Sequence, residues 1–124
     1  MMADADLIEI ELGPWTGLSK DEVRRRYPHY YRHWIEHPET FDQPGVEPLE
    51  NVRSRVVRSV ERFITADRHS VAAFITHSVA VRVAVLYFDG KPLHLYHQIE
   101  VPNLSVYRLT FALPEASCEV ARLK

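Results

Sequence analysis

The sequence predicts a single α/β domain, and three observations support this fold class. Apolar residues recur on one helical face from Leu49 onward. Residues 71–76 are apolar on both faces of an extended chain, which is typical of a strand buried inside a parallel sheet. Two segments near the carboxyl end alternate apolar and polar residues, as half-buried strands do. Helices and strands in this order favour the α/β class over an all-helical one.

The first half of the chain is predicted to consist of loops and helices. The glycines and proline of LGPWTGL mark a turn-rich loop in an otherwise irregular start, residues 1–18. Ser19, followed three residues later by Glu22, forms a capping box that predicts a helix through Tyr27. The remaining predicted elements are helical turns at 29–36, a proline-rich loop at 38–48, and a long helix from Leu49 to about residue 66 that stops at 67–69.

The second half is predicted to alternate between strands and helices. The predicted elements are the buried strand at 71–76, a helix at 78–88, a short helix at 93–99, and strands at 105–113 and 118–123 separated by a turn at 114–117. Asp89 and Gly90 end the first of these helices. Val106, Leu109 and Phe111 supply the alternation of the strand at 105–113.

Composition excludes several classes of function. The chain of 124 residues carries a formal net charge of −2, so bulk electrostatic attraction to nucleic acid or an anionic membrane is not indicated. No stretch is long and apolar enough to span a bilayer, and the first residues do not resemble a secretion signal. The single cysteine, Cys118, excludes an internal disulfide and fits a reducing compartment. We therefore expect a cytoplasmic protein with no nucleic-acid or membrane partner.

His77 is the first candidate site residue. It follows the predicted strand at 71–76, and ligands of open α/β sheets bind beyond the carboxyl ends of strands. The next helix begins with Ser78 and Val79, whose amides would attract an anion, phosphate above all. The residues alone are equally compatible with a histidine that only donates to a backbone carbonyl.

Glu47 is the second candidate, and it lies in the segment QPGVEPLENVRSRV. A rigid loop that contains glycine and proline can present a carboxyl group as a general acid or base. The alternative is a carboxylate that merely caps the following helix. His29, His33 and His37 are spaced four apart, but Pro38 ends that helix and no further ligand joins them, so neither a metal nor a cofactor is expected.

Four segments of the chain, taken in order, resemble the histidine phosphatase superfamily, the phosphoglycerate mutase-like proteins. The segments are LIEIELGPWTGLSKDEVRRRYPHYYRHW, PGVEPLENVRSRV, FITHSVAVRV and VPNLSVYRL. Together they cover nearly the whole of residues 1–124. The resemblance implies a truncated form of that family's three-layer α/β fold, with a small, partly parallel sheet.

The resemblance also implies a chemistry. In that family a first histidine, in an Arg-His-Gly motif, attacks the phosphoryl group, while two arginines and a second histidine bind it. A glutamate protonates the leaving oxygen. Carried over, His77 is the second histidine and Glu47 the acid, with His77, Ser78 and Val79 binding phosphate. Val46 and Pro48 depart from the family's residues on either side of that glutamate.

Arg-His-Gly occurs nowhere in the sequence, because the family's corresponding segment precedes the part that matches here. We therefore expect little or no phosphatase activity from the chain alone, and a role as a regulatory domain or one that binds a phosphorylated small molecule. The strand at 71–76 would then have an open edge, which predicts a homodimer or a strand-donating partner. Two alternatives stay open. One is a phosphomonoesterase or phosphomutase completed by a separate amino-terminal segment, and the other is a purely dimerising module.

Overall fold

The computed structural model describes residues 3–66, 71–112 and 117–124. Within these residues there are four α-helices and two strands: α1 (Lys20–Arg26), α2 (Pro28–Glu36), α3 (Leu49–Ala66), α4 (Ser78–Phe88), β1 (Tyr107–Ala112) and β2 (Ser117–Arg122). Short 3₁₀ helices lie at Ala5–Leu7, Gly13–Trp15, Pro38–Thr40 and Leu93–Gln98. The predicted helices at 49–66 and 78–88 are confirmed, and so is the capping box of Ser19 and Glu22.

The main core lies between α3 and α4. The apolar stripe of α3 is buried through Val52 and Val56, and α4 contributes Val83 and Leu86. The 3₁₀ helix after α4 closes this core with Tyr96. Burying each of these aliphatic side chains stabilises the fold by about 1.5–3 kcal/mol, so the α3–α4 contact fixes where the first residue of α4 lies.

A second, aromatic core joins the loop at 12–18 to α1 and α2. Trp15 and Phe41 lie at its centre, with ring centroids 5.1 Å apart. Trp34 packs edge-on against both rings. His33, one of the histidines at four-residue spacing, places its Nε2 2.8 Å from Thr40 Oγ1 at the margin of this cluster. This core holds the turn-rich loop against the start of the loop that carries Glu47.

The sheet described here has two strands. β1 and β2 pair antiparallel, with Tyr107 opposite Arg122 and Ala112 opposite Ser117. The predicted strands near the carboxyl end are therefore confirmed, whereas the predicted parallel part of the sheet does not occur among the described residues. Most of the predicted turn at 114–117, and the predicted helix stop at 67–69, lie outside those residues.

The prediction of a buried strand at 71–76 is wrong for this structure. The segment forms no strand, and Val71 and Ile75 are 98% and 80% exposed. Its described contacts are the Phe74 ring against Phe63, at 5.9 Å between centroids, and the Thr76 hydroxyl. A parallel strand exists only when neighbours satisfy its backbone groups, and no described residue pairs with this segment.

Candidate functional site

His77 occupies the N-cap position of α4. Its backbone is extended, with φ −104° and ψ 161°, and its carbonyl accepts the first helical hydrogen bond from the Val81 amide at 3.0 Å. The imidazole makes no capping hydrogen bond to the helix amides, and the His77 side chain is 51% exposed. Ser78 and Val79 provide the first amides of the helix, which have no partner within it. His77 thus lies at the positive end of an eleven-residue helix, open to solvent.

Glu9 is the side chain that pairs with His77. Its Oε2 lies 3.5 Å from His77 Nδ1, and the Glu9 side chain is 47% exposed. The other carboxylate oxygen accepts a hydrogen bond from the Ile10 amide at 2.8 Å. Imidazole and carboxylate are therefore paired at the edge of solvent, where both can reach a ligand.

The sequence interpretation missed Glu9, although the segment LIEIEL that contains it supported the family resemblance. A signal was present in the pattern of the segment. Ile10 is buried, whereas Glu9 and Glu11 on either side of it are exposed, which is the alternation of an extended chain that presents carboxylates to solvent.

Glu47 is part of a largely buried ion pair with Arg55. Arg55 Nε and Nη2 donate to the two carboxylate oxygens at 2.9 and 3.0 Å, and the Arg55 and Glu47 side chains are only 11% and 17% exposed. The Arg55 hydrogen bonds hold the pKa of the Glu47 carboxyl below its usual value. Glu47 is therefore a carboxylate at neutral pH, which does not suit a general acid. Its role as the proton donor stays a prediction that these contacts do not favour.

One segment links the two candidate regions, and we call residues 4–12 the amino-terminal strip. Arg55 Nη1 donates to the carbonyls of Asp6 and Ile8 at 2.8 and 2.7 Å. On the other side, the Thr76 hydroxyl donates to the Leu7 carbonyl at 2.8 Å. The strip thus lies between the Glu47–Arg55 pair and the residue that precedes His77.

The start of the strip is fixed by charges on α3. Arg58 and Arg62 donate to the Asp6 carboxylate at 2.8 and 2.7 Å, and the Ser59 hydroxyl donates to Asp4. These hydrogen bonds hold the pKa of the Asp6 carboxyl well below its usual value. Arg58 and Arg62 are thereby bound to the strip, as is Arg55, and the described side-chain partner of His77 is a carboxylate.

A cavity of about 260 Å³ lies elsewhere, between α1, α2 and α4. Its wall includes Trp15, Trp34, Arg82 and His97, but none of His77, Glu9 and Glu47.

In residues 3–66, 71–112 and 117–124, no three histidine, cysteine, aspartate or glutamate side chains are grouped so as to hold a metal ion. None of the described helices is long and apolar enough to cross a membrane. The side chains of His77 and Glu9 are 51% and 47% exposed, so this pair is a surface site.

Comparison with known proteins addresses the family directly. The sequence model of the histidine phosphatase superfamily (branch 1) matches residues 1–122. The chain is 28% identical over 99 residues to phosphoserine phosphatase 1 of Hydrogenobacter thermophilus, covering 80% of this chain and 47% of that protein. It is 27% identical over 108 residues to bifunctional protein Rv2228c of Mycobacterium tuberculosis, covering 86% of this chain and 29% of that protein.

Solved structures agree on the fold. YhfR of Bacillus stearothermophilus superposes with a TM-score of 0.87 at 23% identity, over 96% of this chain and 58% of that one. A mycobacterial glucosyl-3-phosphoglycerate phosphatase, Rv2419c, solved with inorganic phosphate, gives a TM-score of 0.78 at 19% identity, over 98% of this chain and 62% of that one. The chain thus spans about half or less of the length of the curated relatives it matches. The match over residues 1–122 shows that the chain belongs to the histidine phosphatase superfamily, with that family's α/β fold, as the sequence resemblance predicted.

Proposed function

We propose that the chain supplies His77 and Glu9 to a phosphoryl-transfer site of the histidine phosphatase type. The observation that carries this proposal is the 3.5 Å pairing of His77 Nδ1 with Glu9 Oε2 at the start of α4. A phosphoryl group at that helix end would accept hydrogen bonds from the imidazole and from the Ser78 and Val79 amides. The ligand class is a phosphorylated small molecule.

Glu9 is a better candidate than Glu47 for the proton-transfer group. It is half-exposed and bonded to no arginine among the described residues, so its carboxylate is accessible to a ligand oxygen. In the proposed reaction an attacking histidine forms a bond to phosphorus while the ester P–O bond breaks. Glu9 gives its proton to the leaving oxygen and later takes one from the water that releases phosphate.

The 124 residues on their own should have little or no phosphatase activity. Phosphoryl transfer needs an in-line nucleophile and cations that neutralise the phosphate charge. The described contact of His77 is a carboxylate, and three arginines of α3 bind the amino-terminal strip or Glu47 instead of facing His77. We therefore propose a chain that binds phosphate and is catalytically incomplete alone.

A pair of measurements on the purified chain tests this proposal. Inorganic phosphate should shift the amide NMR signals of Ser78 and Val79, and this response should vanish in His77→Ala but persist in the control His29→Ala, whose residue is exposed on α2. Hydrolysis of p-nitrophenyl phosphate should remain at background. If the chain hydrolyses p-nitrophenyl phosphate and His77→Ala abolishes that turnover, the proposal that the chain is inactive alone is wrong. If the amide shifts caused by phosphate survive His77→Ala, the proposed phosphate site is wrong.

The exposed segment at 71–76 supports a second proposal, that the chain accepts a β-strand from another polypeptide segment. The donated segment would correspond to the part of YhfR that lies outside the match, because the superposition covers 96% of this chain but only 58% of YhfR. Val71, Phe74 and Ile75 present apolar side chains to solvent, and the backbone beside them is unpaired among the described residues. A donated strand would satisfy both, and it would bring the attacking histidine beside His77.

Mixing experiments test this second proposal. A recombinant fragment of YhfR, comprising the part outside the match, should bind the chain and produce aryl phosphatase activity. Ile75→Lys should weaken that binding, whereas Leu104→Lys, at a residue 83% exposed elsewhere, should not. Failure of the fragment to bind, or a dimer of this chain alone that Ile75→Lys disrupts, would overturn the strand-donor proposal.

A cytoplasmic location also stays a prediction, based on the single cysteine.

A further inference from the structure

The Glu47–Arg55 pair does more than neutralise two charges, because it also binds the backbone on both sides of Glu9. Upstream of Glu9, Arg55 Nη1 bonds the carbonyls of Asp6 and Ile8. Downstream, the Glu11 amide donates to Glu47 Oε1 at 3.2 Å, and the Glu47 amide donates to the Glu11 carbonyl at 2.8 Å. Glu9 therefore lies between two points at which the same ion pair fixes the strip.

The opposite edge of the strip is fixed by the segment that carries His77. The Leu7 carbonyl accepts from Thr76, whereas the carbonyls of Asp6 and Ile8 point the other way, to Arg55. With alternate carbonyls held from two sides, the strip has little freedom to rotate about its own axis or to slide. The Glu9 carboxylate is then directed toward the residue next to Thr76, which is His77.

We propose that Glu47 and Arg55 are positioning residues, which set the Glu9 carboxylate opposite His77 without touching the ligand. This inference rests on the proposed roles of Glu9 and His77. A bidentate arginine pair has fixed geometry, and its burial keeps water from competing for the donors. The residue that the family resemblance suggested as an acid thus acts on the reaction through another glutamate.

Arg58 provides a matched control on the same helix. It also bonds the strip, but through the Asp6 carboxylate rather than the backbone, and its side chain is 60% exposed. Loss of Arg58 removes a charge near the strip without releasing the carbonyls of Asp6 and Ile8. A difference between Arg55 and Arg58 variants therefore isolates the backbone contacts from the general effect of removing an arginine.

The test is a spectroscopic one that needs no catalytic activity. In the intact chain, an NMR cross-relaxation signal should connect the Glu9 side-chain protons to the His77 ring proton beside Nδ1. Arg55→Met should abolish that signal, and Arg55→Lys should not restore it, since one ammonium cannot bond two carboxylate oxygens and two carbonyls. Glu47→Gln should weaken the signal, and Arg58→Met should leave it unchanged.

The outcomes separate this inference from the proposed function. A Glu9–His77 signal that keeps its full strength in a folded Arg55→Lys or Glu47→Gln chain would overturn the positioning role, whether or not inorganic phosphate binds. Loss or weakening of the signal in those variants supports the positioning role even if the phosphate-induced shifts of the Ser78 and Val79 amides survive His77→Ala. In that case only the assignment of the phosphate site is wrong. Where Arg55→Met does not fold, the Lys and Gln variants carry the same comparison.

Discussion

Replacing Arg55 with methionine should lower the free energy of unfolding by about 3 kcal/mol. The change removes four hydrogen bonds, two to the Glu47 carboxylate and two to the carbonyls of Asp6 and Ile8. It leaves the Glu47 carboxylate largely buried beside an apolar side chain. Breaking one partner out of a buried ion pair costs about 3–5 kcal/mol. We expect the lower end, because Glu47 retains 17% exposure and water can hydrate it in part.

A double-mutant cycle measures this effect and its origin. Urea unfolding, followed by the fluorescence of Trp15 and Trp34 and by circular dichroism, gives the free energy for each variant. Glu47→Gln alone should also destabilise the chain. The double variant, Arg55→Met with Glu47→Gln, should cost less than the sum by about 1–2 kcal/mol, because no charge is then left unpaired. For a domain of this size a loss of about 3 kcal/mol lowers Tm by about 10 °C.

Arg58→Met is the control for this cycle. Its own side chain is 60% exposed, and Asp6 keeps its hydrogen bond to Arg62 when Arg58 is lost, so we expect a cost of about 0–1 kcal/mol, as for surface ion pairs. The reasoning fails if Arg55→Met costs no more than Arg58→Met, or if the two changes of the cycle simply add.

Three further predictions concern the loop contact, acid stability and the exposed segment. Gly13→Ala should destabilise the chain by more than about 2 kcal/mol in urea titrations, because φ is +49° and a Cβ would lie 2.1 Å from the Gly45 carbonyl oxygen. Gly17→Ala, with φ +76° and open space around it, should cost only about 1 kcal/mol, and equal costs would contradict the close approach. The lowered pKa of Asp6 means that its stabilisation is present above about pH 4 and is lost as pH falls further, so Asp6→Asn should flatten the acid limb of a stability–pH curve. An unchanged limb would show that Asp6 is not linked to unfolding. Ile75→Ser should leave the free energy of unfolding within about 0.5 kcal/mol of the parent, since the side chain is 80% exposed. A large loss would indicate that Ile75 is buried, as the predicted strand requires.

Elements defined by local chemistry were predictable from the sequence, and those that need distant partners were not. The Ser19–Glu22 capping box and the helix at 78–88 depend on residues within a few positions of one another, and the structure confirms both. The segment at 71–76 has the composition of a buried strand, but composition cannot supply the neighbouring strands that make one. In this structure the same apolar residues are exposed.

The candidate site divides in the same way. His77 was identifiable because it lies at a junction between two apolar runs, and the structure places it at the N-cap of α4. Glu9 is 68 positions from His77 in the sequence, and only the fold of the amino-terminal strip brings the two within 3.5 Å. The alternation of LIEIEL marks Glu9 as a residue of an extended segment, but it does not reveal the contact with His77.

Two glutamates near one site differ in what they can do because their partners differ. Glu47 follows a loop in a recognisable motif, yet Arg55 satisfies both of its oxygens and fixes it as a carboxylate. Glu9 has one oxygen on a backbone amide and the other toward an imidazole, and it bonds no arginine among the described residues. A motif alone would assign the acid to Glu47. The contacts instead favour our proposal that Glu9 transfers the proton and that Glu47 positions it, because a group that must stay ionised to hold the fold is poorly suited to give up a proton.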